Sequence, residues 1–142
     1  MNFAEYQAAV AHRFKSSFST VDALMVAVSG ILIELDEVGR ATTAAEEHEE
    51  LGDTLFYIGY SAALVDFKPF YGFGYIVDLN DVYSELLQAL GMIHKAKRKT
   101  TLVDWEYQVG RSISMAYCWV EQQGVDMESL YQANITKVSA LN

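Results

Sequence analysis

Two carboxylate pairs, Glu34-x-x-Glu37 and Glu50-x-x-Asp53, stand in or beside strongly apolar stretches of this chain. The first pair follows Ala23-Leu24-Met25-Val26-Ala27-Val28 and Ile31-Leu32-Ile33. The second opens an uncharged run from Thr54 to Val65. An ionised carboxylate without a partner is costly in such surroundings. Four oxygen ligands converging in a half-buried helical groove would suit Mg²⁺ or Mn²⁺, hard cations that prefer carboxylate and water.

Helical geometry makes that convergence reasonable. Positions i and i+3 share a face, with Cβ atoms ~5–6 Å apart. Glu34 can therefore point with Glu37, and Glu50 with Asp53, with Tyr57 one turn further along. The segment 40–45 has the length of a tight helix hairpin, which would bring the two pairs together. A simpler alternative treats Glu46, Glu47, Glu49 and Glu50 as a solvated first turn favoured by the helix dipole. It accounts for Glu46, Glu47 and Glu49. It does not account for Glu34 and Glu37, which lie in the second half of their helix, where the dipole disfavours acids.

The elements that must position these residues are helices. Period and punctuation predict helices over 3–15, 21–40, 44–67, 80–98 and 103–123. Asp22 stands in the first turn of the second, and Thr42-Thr43 caps the third. Gly124 suits a left-handed helix stop, and Asp126 can cap a short last helix ending near Ala140. The stretch 68–74, rich in aromatics and glycine, reads as a loop. The only strand-like run, 74–77, is weak. The expected fold class is all-α, a single domain over 1–142 built as a helical bundle around a four-helix core.

A faint internal repeat relates segments 21–67 and 80–123 as degenerate tandem hairpins. Val21 to Val38 lies over Val82 to Lys99, with Gly30 on Gly91, and Leu51-Gly52-Asp53 lies over Val109-Gly110-Arg111. In that register Glu34 and Glu37 fall on Lys95 and Arg98, while Glu50 and Asp53 fall on Gln108 and Arg111. An acidic half would then face a basic half.

Composition narrows the function classes. Half of the chain is apolar (51%) and 13% is aromatic, so it can bury a core. The net charge of −9 argues against a nucleic-acid partner, which calls for a basic footprint. Cys118, the only cysteine, excludes an internal disulfide and suits a reducing compartment. No uncharged run approaches the ~20 residues of a membrane span, and the first residues read as an amphipathic helix rather than a secretory signal. A soluble, cytoplasmic protein is expected. Charge is unevenly placed: acids crowd between Ile33 and Asp53, whereas Lys95, Lys97, Arg98 and Lys99 form a basic cluster.

The residues also carry a resemblance. Gly30-Ile-Leu-Ile-Glu34-Leu-Asp-Glu37-Val38 followed by Glu49-Glu50-Leu51-Gly52-Asp53-Thr54-Leu55-Phe56-Tyr57 closely resembles the signature of MazG-like all-α nucleoside triphosphate pyrophosphohydrolases. That superfamily includes the dimeric dUTPases and phosphoribosyl-ATP pyrophosphohydrolase. The segment from Gly124 to Lys137, with Ala133-Asn134 and Lys137, is similar to the family's closing helix, and Phe3-Ala-Glu-Tyr6-Gln7 to its first. The resemblance implies Mg²⁺ ligation by Glu34, Glu37, Glu50 and Asp53. It implies hydrolysis of a nucleoside triphosphate to monophosphate and pyrophosphate by a homodimer or higher homo-oligomer. It makes Asn134 and Lys137 candidate substrate contacts. The inserted helix over 80–98 suits the tandem members of the superfamily better than the minimal ones.

In such an enzyme the metal would neutralise phosphate oxygens and orient an attacking water. Glu34 or Glu37 would act as general base. Lys95, Arg98 and Arg111 would stabilise charge on the phosphate chain and the leaving pyrophosphate. Two alternatives stand beside this: a catalytically inactive helical interaction module of the same fold, and a pyrophosphohydrolase acting on a phosphoribosyl nucleotide. A di-iron oxidase is disfavoured, because none of His12, His48 and His94 has a glutamate three positions before it. Trp105, Tyr117 and Trp119 read as packing residues, as does the aromatic cluster over 67–75.

Overall fold

The structure is a computed structural model that describes residues 1–13, 19–65, 76–98 and 105–141, apart from the side chains of Arg98 and Trp105. Among these residues there are six helices and no strand: α1 Phe3–Arg13, α2 Thr20–Arg40, α3 Ala44–Leu64, α4 Leu79–Arg98, α5 Trp105–Glu121 and α6 Met127–Ala140. The predicted continuations of α1 over 14–15 and of α3 over 66–67, the loop over 68–74 and half of the weak strand run lie outside the described residues, and Val65 already turns out of α3. Ile76 and Val77 are not in a strand.

Local chemistry sets the helix ends. The Ser19 hydroxyl accepts the backbone N–H of Asp22 at 3.2 Å and starts α2. At the start of α3, Thr43 Oγ1 accepts the N–H of Glu46 at 3.1 Å, while Glu46 reaches back to the N–H of Thr42. This reciprocal box satisfies donors that a helix N-terminus otherwise leaves open. Asp126 caps α6 by accepting the N–H of Glu128. Gly124, at φ 77°, takes the left-handed turn between α5 and α6 that a side chain would disfavour.

Helices α2, α3, α5 and α4 contact one another in turn and close into a four-helix ring. Its core is drawn from helical stripes: Leu24, Val28, Ile31 and Leu35 on α2, Leu51, Leu55 and Ile58 on α3, Val82, Leu86 and Ile93 on α4, and Val109, Ile113 and Val120 on α5. Burying each Leu or Ile in full contributes roughly 1.5–3 kcal/mol. Helices α1 and α6 cover the outside of α3 and touch each other. α3 is therefore wrapped by α1, α2, α5 and α6, which explains why its run after Asp53 carries no charge. Thr54 and Ser61 survive there because their hydroxyls bond back to the carbonyls of Glu50 and Tyr57.

The long α2–α3 contact needs one close approach. A Cβ on Gly30 would sit 2.5 Å from Tyr57 Cδ1, so the tyrosine ring lies flat on the α2 backbone. Helix α2 runs antiparallel to α4. Lys97 binds Asp22 at 2.7 Å near one end, and the charge of Asp36 acts on Tyr83 towards the other. No helix among the described residues is long and apolar enough to cross a membrane.

Candidate metal centre

The three-residue link between Arg40 and Ala44 folds α3 back along α2, and the two carboxylate pairs meet across that hairpin. Glu34, Glu50 and Asp53 each offer one oxygen, and these atoms all lie within 4.8 Å of one another. All three are half-buried. Oxygen donors this close could hold a single hard cation.

The electrostatics match that reading. Among the described residues no donor group reaches Glu34 Oε2 or Glu50 Oε2, both buried, so a hydrogen bond between these two carboxyls requires one of them to carry a proton. Burial, the hydrogen bond shared with Glu50 and the charges of Asp53, Glu37 and Glu50 push the Glu34 carboxyl up to about 8. Glu50 is raised by burial and by Glu37 and Asp53, with its bond to Glu34 opposing them. Like charges in a half-buried pocket favour holding a proton, or binding a cation in its place. Tyr57 closes one side: burial and then the charges of Glu34, Asp53 and Glu37 raise its phenol.

Glu37 differs from the other three. It is exposed and stands outside the set of three converging oxygens, yet it raises Glu50 through a side-chain hydrogen bond and its charge, and Glu34 through its charge. With Arg40, Ala41, Glu46 and Glu50 it lines an open recess of about 240 Å³ at the mouth of the hairpin.

The last helix reaches the same place. Lys137 Nζ donates to both oxygens of Asp53, at 2.8 Å each, and pairs with Glu49 Oε1 at 2.9 Å. Burial lowers the Lys137 pKa, but its bonds to Asp53 and Glu49 outweigh that and the net shift is upward. Asn134 Nδ2 faces Asp53 Oδ1 at 3.5 Å, and Asn134 Oδ1 accepts the Tyr6 hydroxyl at 2.7 Å. Between α3 and α6 lies a groove of about 330 Å³ with Gly52 and Leu130 on its floor and His48, Glu49, Asn134 and Lys137 at its edge.

Of the residues singled out from the sequence, Glu34, Glu50, Asp53, Asn134 and Lys137 come together, with Glu37 beside them. Of the basic cluster, Lys95 and Lys97 do not join them within the chain, and Lys99 lies outside the described residues. Because α4 is antiparallel to α2, Lys97 meets Asp22, twelve residues before Glu34; at ~1.5 Å per residue this is roughly 18 Å along α2. Lys95 is exposed at that far end, and the side chain of Arg98 lies outside the described residues. Arg111 is engaged by Glu85 at 3.4 Å, and Gln108 binds the same carboxylate at 2.6 Å. Three participants were missed. Glu49, assigned above to a solvated turn, is the second partner of Lys137. Tyr6 is the partner of Asn134, and Glu85 holds Arg111. Tyr6 and Glu49 left a trace in the sequence, within segments that resemble a family's first helix and its signature, but without a role; Glu85 left none.

Comparison of the chain with protein-family models, with curated proteins and with solved structures finds no match. The functional reading therefore rests on the geometry of the site and on the sequence motifs that build it.

Proposed function

We propose that the chain is a Mg²⁺-dependent nucleoside triphosphate pyrophosphohydrolase, releasing a monophosphate and pyrophosphate. The observation that carries this reading is the convergence of Glu34, Glu50 and Asp53 across one hairpin, with two buried carboxylate oxygens that no donor group among the described residues reaches. Those three residues would hold the ion. When bound, the ion would neutralise phosphate oxygens and lower the barrier to attack by water.

The chain's own residues divide the remaining work. Glu37 is exposed at the rim of the cluster, where it meets the Glu50 carboxyl, so its carboxylate is placed to take the proton of the attacking water. The water oxygen forms a bond to phosphorus, the anhydride P–O bond breaks, and pyrophosphate leaves with the electron pair of that bond. Lys137 is ion-paired with Asp53 and is suited to follow the charge onto a phosphate oxygen. The groove between α3 and α6 has an apolar floor and a polar edge, which suits the base and sugar of a nucleotide. A homo-oligomer belongs to the same reading.

A second reading, a non-catalytic helical module, draws on one observation: Lys137 already neutralises both oxygens of Asp53. Pyrophosphate release across a panel of nucleoside triphosphates with Mg²⁺, together with Glu37→Gln, separates the two. Release that is lost in Glu37→Gln is the expected result. Absence of release from every nucleotide would overturn the enzymatic reading, and activity surviving Glu37→Gln would overturn the role of that residue.

A further inference from the structure

Tyr6 lies far in sequence from Glu34, Glu50 and Asp53, yet it is one of the most completely buried of the described side chains, with 0% exposure. A buried phenol needs a partner for its hydroxyl, and the partner here is the Asn134 carbonyl oxygen at 2.7 Å. That single bond sets the orientation of the Asn134 amide. With its oxygen facing Tyr6, its NH₂ group faces Asp53 Oδ1 at 3.5 Å. Turned over, the amide would present its carbonyl to the carboxylate, acceptor against acceptor.

We infer that Tyr6 is a positioning residue for Asp53, acting through Asn134. The seat of each member is tight. The Tyr6 ring stacks on Tyr131 with centroids 4.9 Å apart and packs against the backbone of α3, where a Cβ on Gly59 would lie 3.3 Å from Tyr6 Cε2. Asn134 is 3% exposed and lies against Gly52, the residue before Asp53. The first helix thus fixes a carboxylate on the third by way of the sixth. Partners that orient ligating carboxylates commonly change metal affinity about 10- to 100-fold when removed. On this view Asn134 works inward on Asp53, which differs from the substrate contact expected from the sequence.

The inference rests on the metal reading for its consequence, though not for the relay itself, so the test has two arms. In metal-free protein, Tyr6→Phe is expected to shift the Asn134 side-chain amide resonances and the Asp53 carboxyl carbon in NMR spectra. Tyr131→Phe, which removes the hydroxyl stacked beside Tyr6, leaves both in place. An Asp53 carbon unmoved by Tyr6→Phe overturns the relay. Should that variant fail to fold, Asn134→Ala must move the same carbon, and an unmoved carbon there overturns it equally. In the second arm, Mn²⁺ titration followed by electron paramagnetic resonance is expected to show binding about tenfold weaker in Tyr6→Phe. It is expected to show no further loss when Tyr6→Phe is added to Asn134→Ala. Equal losses in both backgrounds overturn action through Asn134. Failure of the unaltered protein to bind Mn²⁺ would sink the metal reading alone, leaving the first arm to decide the relay.

Discussion

Lys137 Nζ stands 2.8 Å from each carboxylate oxygen of Asp53, so a cation supplied by the chain occupies the flank of the candidate metal centre. It is both a counter-charge for the acids and a competitor for one of their ligands. Lys137→Met should therefore act in opposite directions on two measurements. Thermal stability of the metal-free protein should fall by on the order of 1 kcal/mol, since a part-exposed ion pair is lost among like charges. Mn²⁺ affinity, measured by titration calorimetry, should rise. Weaker Mn²⁺ binding would assign Lys137 to orienting Asp53 instead.

Stability should depend on pH through Glu34. Its carboxyl holds a proton up to about 8 in the folded chain, against 4.5 as a free group. Between those values the folded state binds more protons than the unfolded state, so raising the pH favours unfolding. The melting temperature in EDTA should fall from pH 5 to pH 8.5, and Glu34→Gln should flatten that slope. Mg²⁺ added near pH 7 should restore stability with release of a proton, readable in buffers of different ionisation enthalpy.

Two glycines should respond in opposite ways to the same substitution. At Gly30 an added methyl meets the Tyr57 ring at 2.5 Å, and Gly30→Ala should destabilise by about 1–3 kcal/mol. Around Gly91, exposed in the middle of α4, nothing lies within 4 Å. Gly91→Ala should stabilise by about 0.5–1 kcal/mol through helix propensity alone. Urea unfolding of both variants checks the pair.

Lys95 should be dispensable for catalysis within one chain. Lys95 stands near Lys97, whose partner Asp22 is about 18 Å along α2 from Glu34, beyond the ~8 Å screening length at physiological salt. Lys95→Ala should leave KM for a nucleoside triphosphate within about twofold. A larger rise would place a second copy's Lys95 at the site.

Much of this architecture was legible in the residues because it depends on local chemistry. Ser19, Thr43, Asp126 and Gly124 mark helix ends by bonds that span three residues or fewer, and the 3.6-residue spacing of Leu, Ile and Val marks the faces. The meeting of Glu34 with Glu50 and Asp53 was legible for the same reason, since only a short turn separates their helices. What escaped depends on distance in sequence. The antiparallel placement of α4 sends Lys95 and Lys97 to the far end of α2, whereas the repeat register set Lys95 and Arg98 against Glu34 and Glu37. Glu49 faces α6, where it pairs with Lys137, and nothing within α3 announces that helix. Tyr6 reads as an ordinary core aromatic until Asn134 is set beside it.

The three-residue turn at Ala41–Thr43 also orders events in time. Contacts between segments close in sequence form with little loop-closure entropy and tend to form early. The carboxylates of α2 and α3 belong to such a hairpin, whereas Lys137 reaches Asp53 from 84 residues away. During folding the acids therefore gather before their internal counter-charge arrives. A dissolved divalent cation present at that stage would speed the hairpin's assembly, acting on the folding rate before it could act on any substrate.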